Sequence, residues 1–287
     1  MMRKFILTNA QGAVVNLADE NTFAYNIDNV GVSFANTYYQ ANSNFILSST
    51  NINQGQFSVR VLFGSKDQQH YQRFSKFVSF LNYAPYTLTY QNDAGIYYRD
   101  CVLNNLTKSE INQWNTLDEE FILDFITPFY RYVTSDNFDG SNGLATGKIY
   151  SYKYPYEYDN ATNQRAGYFP INNRSIYLGM DHGSPLEITI EGHCRHPSWE
   201  LYKDTTIIQS DGYFLDVPTG YTLIVSSFPG NQYARLISAS GVVNNVYQYQ
   251  DLTRSNFITV PVGRYTLRLN TGTANVRWRL REEVLTV

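Results

Sequence analysis

Apolar side chains recur at every second position along this chain, and that period confines the fold to pleated sheets. Phe57, Val59 and Val61 alternate with Ser58, Arg60 and Leu62, and Leu186, Ile188 and Ile190 alternate with Glu187, Thr189 and Glu191. Successive residues of a strand face opposite ways, so such runs bury one face and expose the other. Further strands are read over 86–90, 95–103 and 119–126, then over 221–226, 234–238, 257–260, 265–269 and 276–284. One stretch breaks the pattern. Tyr71, Phe74, Phe77, Val78 and Leu81 fall at helical spacing and predict a helix over 66–82, with Ser65 and Gln68 as a capping box. An aromatic stripe of this kind reads as a core face rather than a ligand site.

Composition supports sheets and narrows the partners. The chain has 25 tyrosines and 17 phenylalanines against 16% charged residues, a β-rich set that also suits contact surfaces. A formal net charge of -3 provides no broad basic field for nucleic acid. After its basic pair, the start MMRKFILTNAQG has only Phe5, Ile6 and Leu7 as an apolar run, too short for a signal-peptide core. No stretch approaches the ~20 apolar residues of a membrane helix, so the expectation is a soluble protein made in a cytoplasm. Two cysteines are too few for a disulfide framework.

The texture changes at 134–147, TSDNFDGSNGLATG, which reads as a linker between two β units. A phosphate-binding loop fails there because Asn142 and Ile149 occupy its required glycine and hydroxyl positions. A calcium loop starting at Asp136 fails at Phe138. Residues 150–169 carry six tyrosines with nothing local to bury against, the best candidate for a contacting arm.

The chemistry-bearing residues gather at His193, Cys194 and His196, with Asp181 and His182 upstream. These types suit zinc, but the spacing lacks two close ligand pairs, and Cys101 is distant with no second ligand beside it. On an extended chain His193 and Arg195 take one side while Cys194 and His196 take the other. Pro197 then ends the ladder. A strand end and turn accounts for the segment more simply than a metal. Neither a G-x-S-x-G elbow nor an H-E-x-x-H pair occurs, and Asp118, Glu119 and Glu120 read as a solvated turn. The sequence therefore assigns no catalytic, cofactor or metal residue.

The last strands pose an electrostatic problem. With 271–274 as a hairpin loop, Arg264 and Arg268 share a face with Arg277, Arg279 and Arg281. Simple register puts Arg268 opposite Arg277 and Arg264 opposite Arg281, and like charges so placed repel. A neighbouring strand bearing Glu187 and Glu191 has the right sign and period to neutralise them; an acidic surface of another subunit is the alternative.

The order of parts then carries a resemblance. Strands, the helix SKDQQHYQRFSKFVSFLN, PYTLTYQNDAGIYYRDCVLNNLTK and a strand ending in TPFYRY resemble the distal tail proteins of long-tailed bacteriophages. ITIEG, HPSWEL, VPTGYTLIV and VPVGRYTLRL with VRWRLREE look like the sandwich domain of that family, where a glycine and an asparagine-proline pair often follow the first strand. Gly192 and Pro197 keep this pattern, while His196 replaces the asparagine. The resemblance implies a mainly β chain: an N-terminal β-barrel-like domain with one α-helix over 1–133, then a galectin-like or carbohydrate-binding-module-like β-sandwich over 134–287. It also implies a structural virion component without enzymatic activity. Its partners would be copies of itself in a hexameric ring, the tail tube, tape-measure, tail-tip and receptor-binding proteins. Two rival readings remain: a carbohydrate-binding adhesin-like module contacting the host surface, and, more remotely, a glycoside or peptide hydrolase.

Overall fold

The computed structural model describes residues 3–64, 68–135, 166–176, 183–272 and 274–287. Ser65 and Lys66, the linker at 136–147, residues 150–165 of the tyrosine-rich segment, and Asp181 and His182 lie outside the described residues. The chain separates into two compact units, one of Met1–Arg131 with Glu283–Val287 and one of Tyr132–Glu282.

In the first unit the pairings among the described residues are antiparallel and the order runs Lys4–Thr8, Tyr86–Gln91, Ile96–Leu106, Leu117–Phe125, Gln56–Phe63, Thr22–Asp28 and Ala18–Asp19. Strand Val14–Asn16, which runs into Ala18–Asp19, pairs back onto Lys4–Thr8. Between them the Leu17 N–H donates to the Phe5 carbonyl at 2.9 Å, and the Leu17 carbonyl accepts from Ala24 at 2.7 Å. Residues 14–19 thus close the sheet into a barrel, and closure removes exposed edges. The alternation read from the sequence is the barrel's inside: Phe57, Val59, Val61 and Phe63 are buried, facing Phe121 and Leu123 across register pairs. Each such side chain contributes roughly 1.5–3 kcal/mol relative to leaving it exposed.

The helix is shorter than the sequence suggested and is turned on its axis. It spans His70–Leu81 and buries His70, Phe77, Phe80 and Leu81, leaving Tyr71 and Val78 exposed. Gln68 sits in the left-handed region at φ 54° before the helix, and no side chain caps the N-terminus, so the expected box does not start it. The anchor is His70 instead, whose Nδ1 lies 2.6 Å from the Phe63 carbonyl. Phe77 then meets Phe63 and Phe121 with centroids 5.4 and 5.1 Å apart.

The Asp118–Glu120 run is strand, not a solvated turn. It lies in Leu117–Phe125, whose inward positions include Glu119 at 1% exposure. Asp118 faces outward, 3.1 Å from Arg60 and 2.5 Å from the Tyr25 hydroxyl. Three acids in an alternating strand necessarily place one on the other face.

One excursion leaves the barrel. Strands Thr22–Asp28 and Gln56–Phe63 are paired neighbours, yet between them the chain makes a separate hairpin of Phe34–Ala41 and Asn44–Ile52. Among the described residues neither hairpin strand pairs with any other.

The second unit is a sandwich. One sheet runs Val243–Asn245, Tyr233–Ile237, Thr222–Ser226, Ser184–Glu191 and Asn275–Val284; the other runs Ala166–Asn173, Gly263–Asn270, Ser198–Lys203 and Thr206–Gly212. Ile188, Ile190, Leu223, Val225, Val276 and Leu280 of the first meet Trp199, Leu201, Leu267 and Leu269 of the second in one core. The expected terminal hairpin does not form. Gly263–Asn270 and Asn275–Val284 lie in opposite sheets, so the two are not a hairpin pair and Arg268 never faces Arg277. The expected glutamates nonetheless neutralise the arginines: Arg279 pairs with Glu187 at 3.0 Å and Arg277 with Glu191, while Arg268 pairs with Glu200 at 3.3 Å. Partly exposed pairs like these contribute roughly 0.2–1 kcal/mol each, enough to favour one register but not to hold the sandwich.

Candidate functional site

The histidine–cysteine segment folds as a ladder end. Cys194 and Arg195 pair with Val217 and Asp216, and the Cys194 side chain enters the sandwich core. Burial, with a smaller effect of Asp216, pushes its thiol up to about 12, whereas a metal ligand or nucleophile must be thiolate. His193, Arg195 and His196 are all exposed. The expected side-sharing of Cys194 and His196 fails because His196 adopts φ 45°, where its N–H donates to the Leu215 carbonyl at 2.9 Å and the alternation breaks. Among the described residues no group of three or more His, Cys, Asp or Glu is placed to hold a metal.

Of the buried carboxylates, Glu119 and Asp211 each fasten a loop. Burial alone would raise the Glu119 pKa. The Thr107 hydroxyl at 2.7 Å and the Ser109 N–H and hydroxyl at 2.6 and 2.7 Å outweigh it and hold Glu119 below the ordinary carboxylate value. Its oxygens are spent on pinning the segment after Ile96–Leu106. Asp211 accepts N–H bonds from Gly212 at 2.7 Å and Phe257 at 3.0 Å, tying the loop before Thr259–Val260 to the sandwich edge. Here burial prevails and raises its pKa to about 6.

A raised pKa means that folded Asp211 holds a proton that the unfolded chain has already released. Stability tied to this group therefore increases as pH falls through 6 toward the unfolded value. Between pH 7 and pH 5 the wild type should gain about 1 kcal/mol relative to Asp211→Asn, by the linkage of one shifted group. Urea unfolding of both proteins at the two pH values measures it, and an equal response of the two proteins would remove Asp211 as the cause.

Five exposed large apolar side chains of the first unit lie together on the separate hairpin. Register pairs Tyr38 with Leu47 and Gln40 with Phe45 on one face, and Tyr39 with Ile46 on the other. Phe45 is 71% exposed, and Tyr38, Tyr39, Ile46 and Leu47 are exposed with it. Residues 29–55 contain no charged side chain at all. An isolated two-stranded ribbon is marginal in water, and long unpaired edges without Lys or Pro invite pairing with another chain. This ribbon was not singled out from the sequence, although the uncharged run marks it.

Fold and surface together define a class: a closed β-barrel bearing an uncharged, aromatic-rich ribbon, followed by a β-sandwich. Residues 4–126 match the family described as distal tail protein, N-terminal domain. The matched stretch covers the barrel of the first unit and less than half of the chain, so that unit is similar to the N-terminal domain of distal tail proteins. The chain is 28% identical over 183 residues to the distal tail protein of Lactococcus phage SK1, covering 57% of this chain and 61% of that protein. It is 29% identical over 168 residues to that of Lactococcus phage p2, covering 55% and 56%. These alignments therefore span less than two thirds of either relative. Among solved structures, a chain of the phage p2 baseplate in its activated conformation with calcium superposes with TM-score 0.72 and 17% identity, covering both chains fully. The SPP1 Dit protein, described as a paradigm of hub adsorption apparatus, gives TM-score 0.60 at 9% identity, covering 97% of this chain and 98% of that one. At such identities the structural likeness speaks for the fold.

Proposed function

We propose that this protein is a structural hub of a phage tail tip, a virion component that forms a hexameric ring joining the tail tube to tail-tip and receptor-binding proteins. The observation that carries the reading is the uncharged ribbon on a barrel matching the distal tail family. A ring needs a heterologous contact, in which one patch of a subunit meets a different patch of the next. The ribbon is the first patch: its two unpaired edges and its aromatic faces are covered when it lies on a neighbouring barrel. The barrel over residues 1–133 is the ring-forming domain, and the sandwich over 134–287 is the second domain of each subunit. Tape-measure and tube proteins meet the ring along its axis. No catalytic step belongs to this role.

Antibody raised against the full chain, applied to intact virions and viewed by electron microscopy, tests the location. Label at the free end of the tail is the expected outcome. Label on the capsid, or virions carrying none of the protein, would refute the hub.

A further inference from the structure

A heterologous contact needs a second patch, different from the ribbon and clear of it. Strand register in the first unit shows where such a patch can lie. Gln56–Phe63 runs antiparallel to Leu117–Phe125, with Leu117 opposite Phe63 and Asp124 opposite Gln56. On its other side Thr22 is opposite Phe63 and Asp28 opposite Ser58. The ribbon therefore leaves the barrel at the Gln56 end, whereas the segment 107–116, which joins Ile96–Leu106 to Leu117–Phe125, lies at the Phe63 end. From Leu117 to Asp124 the two ends are about 23 Å apart along the strand.

That far end displays Trp114, 77% exposed, on a turn braced from within. The Asn112 side-chain oxygen accepts from the Trp114 and Thr116 N–H groups at 2.9 and 3.1 Å, and the Asn112 N–H donates to the Thr116 carbonyl at 3.0 Å. Asn115 takes the left-handed conformation at φ 55°, with its N–H donating to the Asn112 carbonyl at 2.9 Å. Upstream, Ile111 packs against the barrel core and Ser109 is held by buried Glu119. The turn is formed before any partner arrives, so little ordering entropy is left to lose on binding. Its nearest charges engage one another and the helix: Lys108 and Glu110 lie 3.6 Å apart, Glu110 accepts from the Tyr71 hydroxyl, and Lys108 sits 4.8 Å over the Tyr71 ring. Residues 111–117 carry no charge.

Resting on the hub reading, we infer that the Trp114 turn is the seat for the ribbon of the next copy of this chain, with the indole entering the face formed by Tyr38, Phe45 and Leu47. A charged occupant would lose its water at this turn without finding a counter-ion, so the seat suits an uncharged one. The ribbon lies in the longest run of the first unit without a charge, and its exposed faces are aromatic and aliphatic. Tryptophan set in a pre-formed surface is the residue type that most often dominates interface energies. Placement at opposite ends of the barrel also suits head-to-tail closure, since a subunit engaged through its ribbon still offers its own turn to a third. Leu252 of the second unit is equally exposed, at 78%, but stands between Asp251 and Arg254, which pair at 2.9 Å; it serves as the control.

Size exclusion coupled to light scattering on the full chain tests the seat. Trp114→Asp is expected to run as a single subunit with the wild-type unfolding midpoint, and Trp114→Gln, which adds no charge, to weaken assembly about tenfold or more. Leu252→Asp keeps the wild-type mass. Mixing is the sharper arm: the Trp114→Asp chain retains a ribbon and the Phe45→Asp/Leu47→Asp chain retains a turn, so equal amounts should give a species of twice the subunit mass and nothing longer. A wild-type mass for Trp114→Asp, a mixture that stays at the subunit mass, or dissociation by Leu252→Asp as well overturns the inference. Any of these beside an assembled wild type leaves the hub standing, whereas a wild type that is itself a single subunit refutes both.

Discussion

Phe45→Asp combined with Leu47→Asp should convert the assembled protein to monomers while leaving its unfolding midpoint unchanged. Both side chains are exposed in the isolated chain and lie on one face of the ribbon with Tyr38, so neither substitution opens a cavity. Surface changes away from packed features stay within about 0.5 kcal/mol, which is why stability is spared. In the proposed ring contact the same two positions are buried against a neighbour, and each new carboxylate would have to be desolvated without a partner. That penalty is several kcal/mol per ion, and a ring repeats it at every contact. Size exclusion coupled to light scattering reads the outcome. A double variant that keeps the wild-type mass would move the ring contact away from the ribbon.

The second large effect is in the sandwich core. Trp199 is 1% exposed, stacks on Tyr213 with centroids 6.0 Å apart and faces the opposite sheet's core residues. Its replacement by Ala removes the largest fully buried side chain among the described residues. Large-to-small changes of this kind cost about 3–5 kcal/mol, since transfer free energy and a residual cavity add. Trp199→Phe, which refills part of the space, should lose markedly less. Urea unfolding of the two variants gives both numbers, and a loss below about 1 kcal/mol for Trp199→Ala would mean that this core is not packed as described.

How much of this was legible beforehand follows from which signals are local. Alternation at 57–63 and 186–190 is local, so it gave the strands, their inward faces and the glutamates that meet Arg277 and Arg279. Barrel closure through Leu17 depends on hydrogen bonds to Phe5 and Ala24, and no pattern at 14–19 announces it. A short loop at 271–274 suits a hairpin and a crossing between sheets equally, and only the packing of both strands' inner faces decides for the crossing. Glu119 was misread because an acidic run looks solvated; its burial depends on Thr107 and Ser109, which reach it across the neighbouring strand's end. The metal-like segment dissolved for a similar reason, since one left-handed residue at His196 separates side chains that an ideal strand would have aligned.

The central claim is that this chain closes into a ring, and one image of it is the most direct test. Negative-stain electron microscopy of the purified full-length protein should show hollow rings with sixfold symmetry. Isolated single particles at concentrations well above those of assembly, or open filaments without closure, would contradict it.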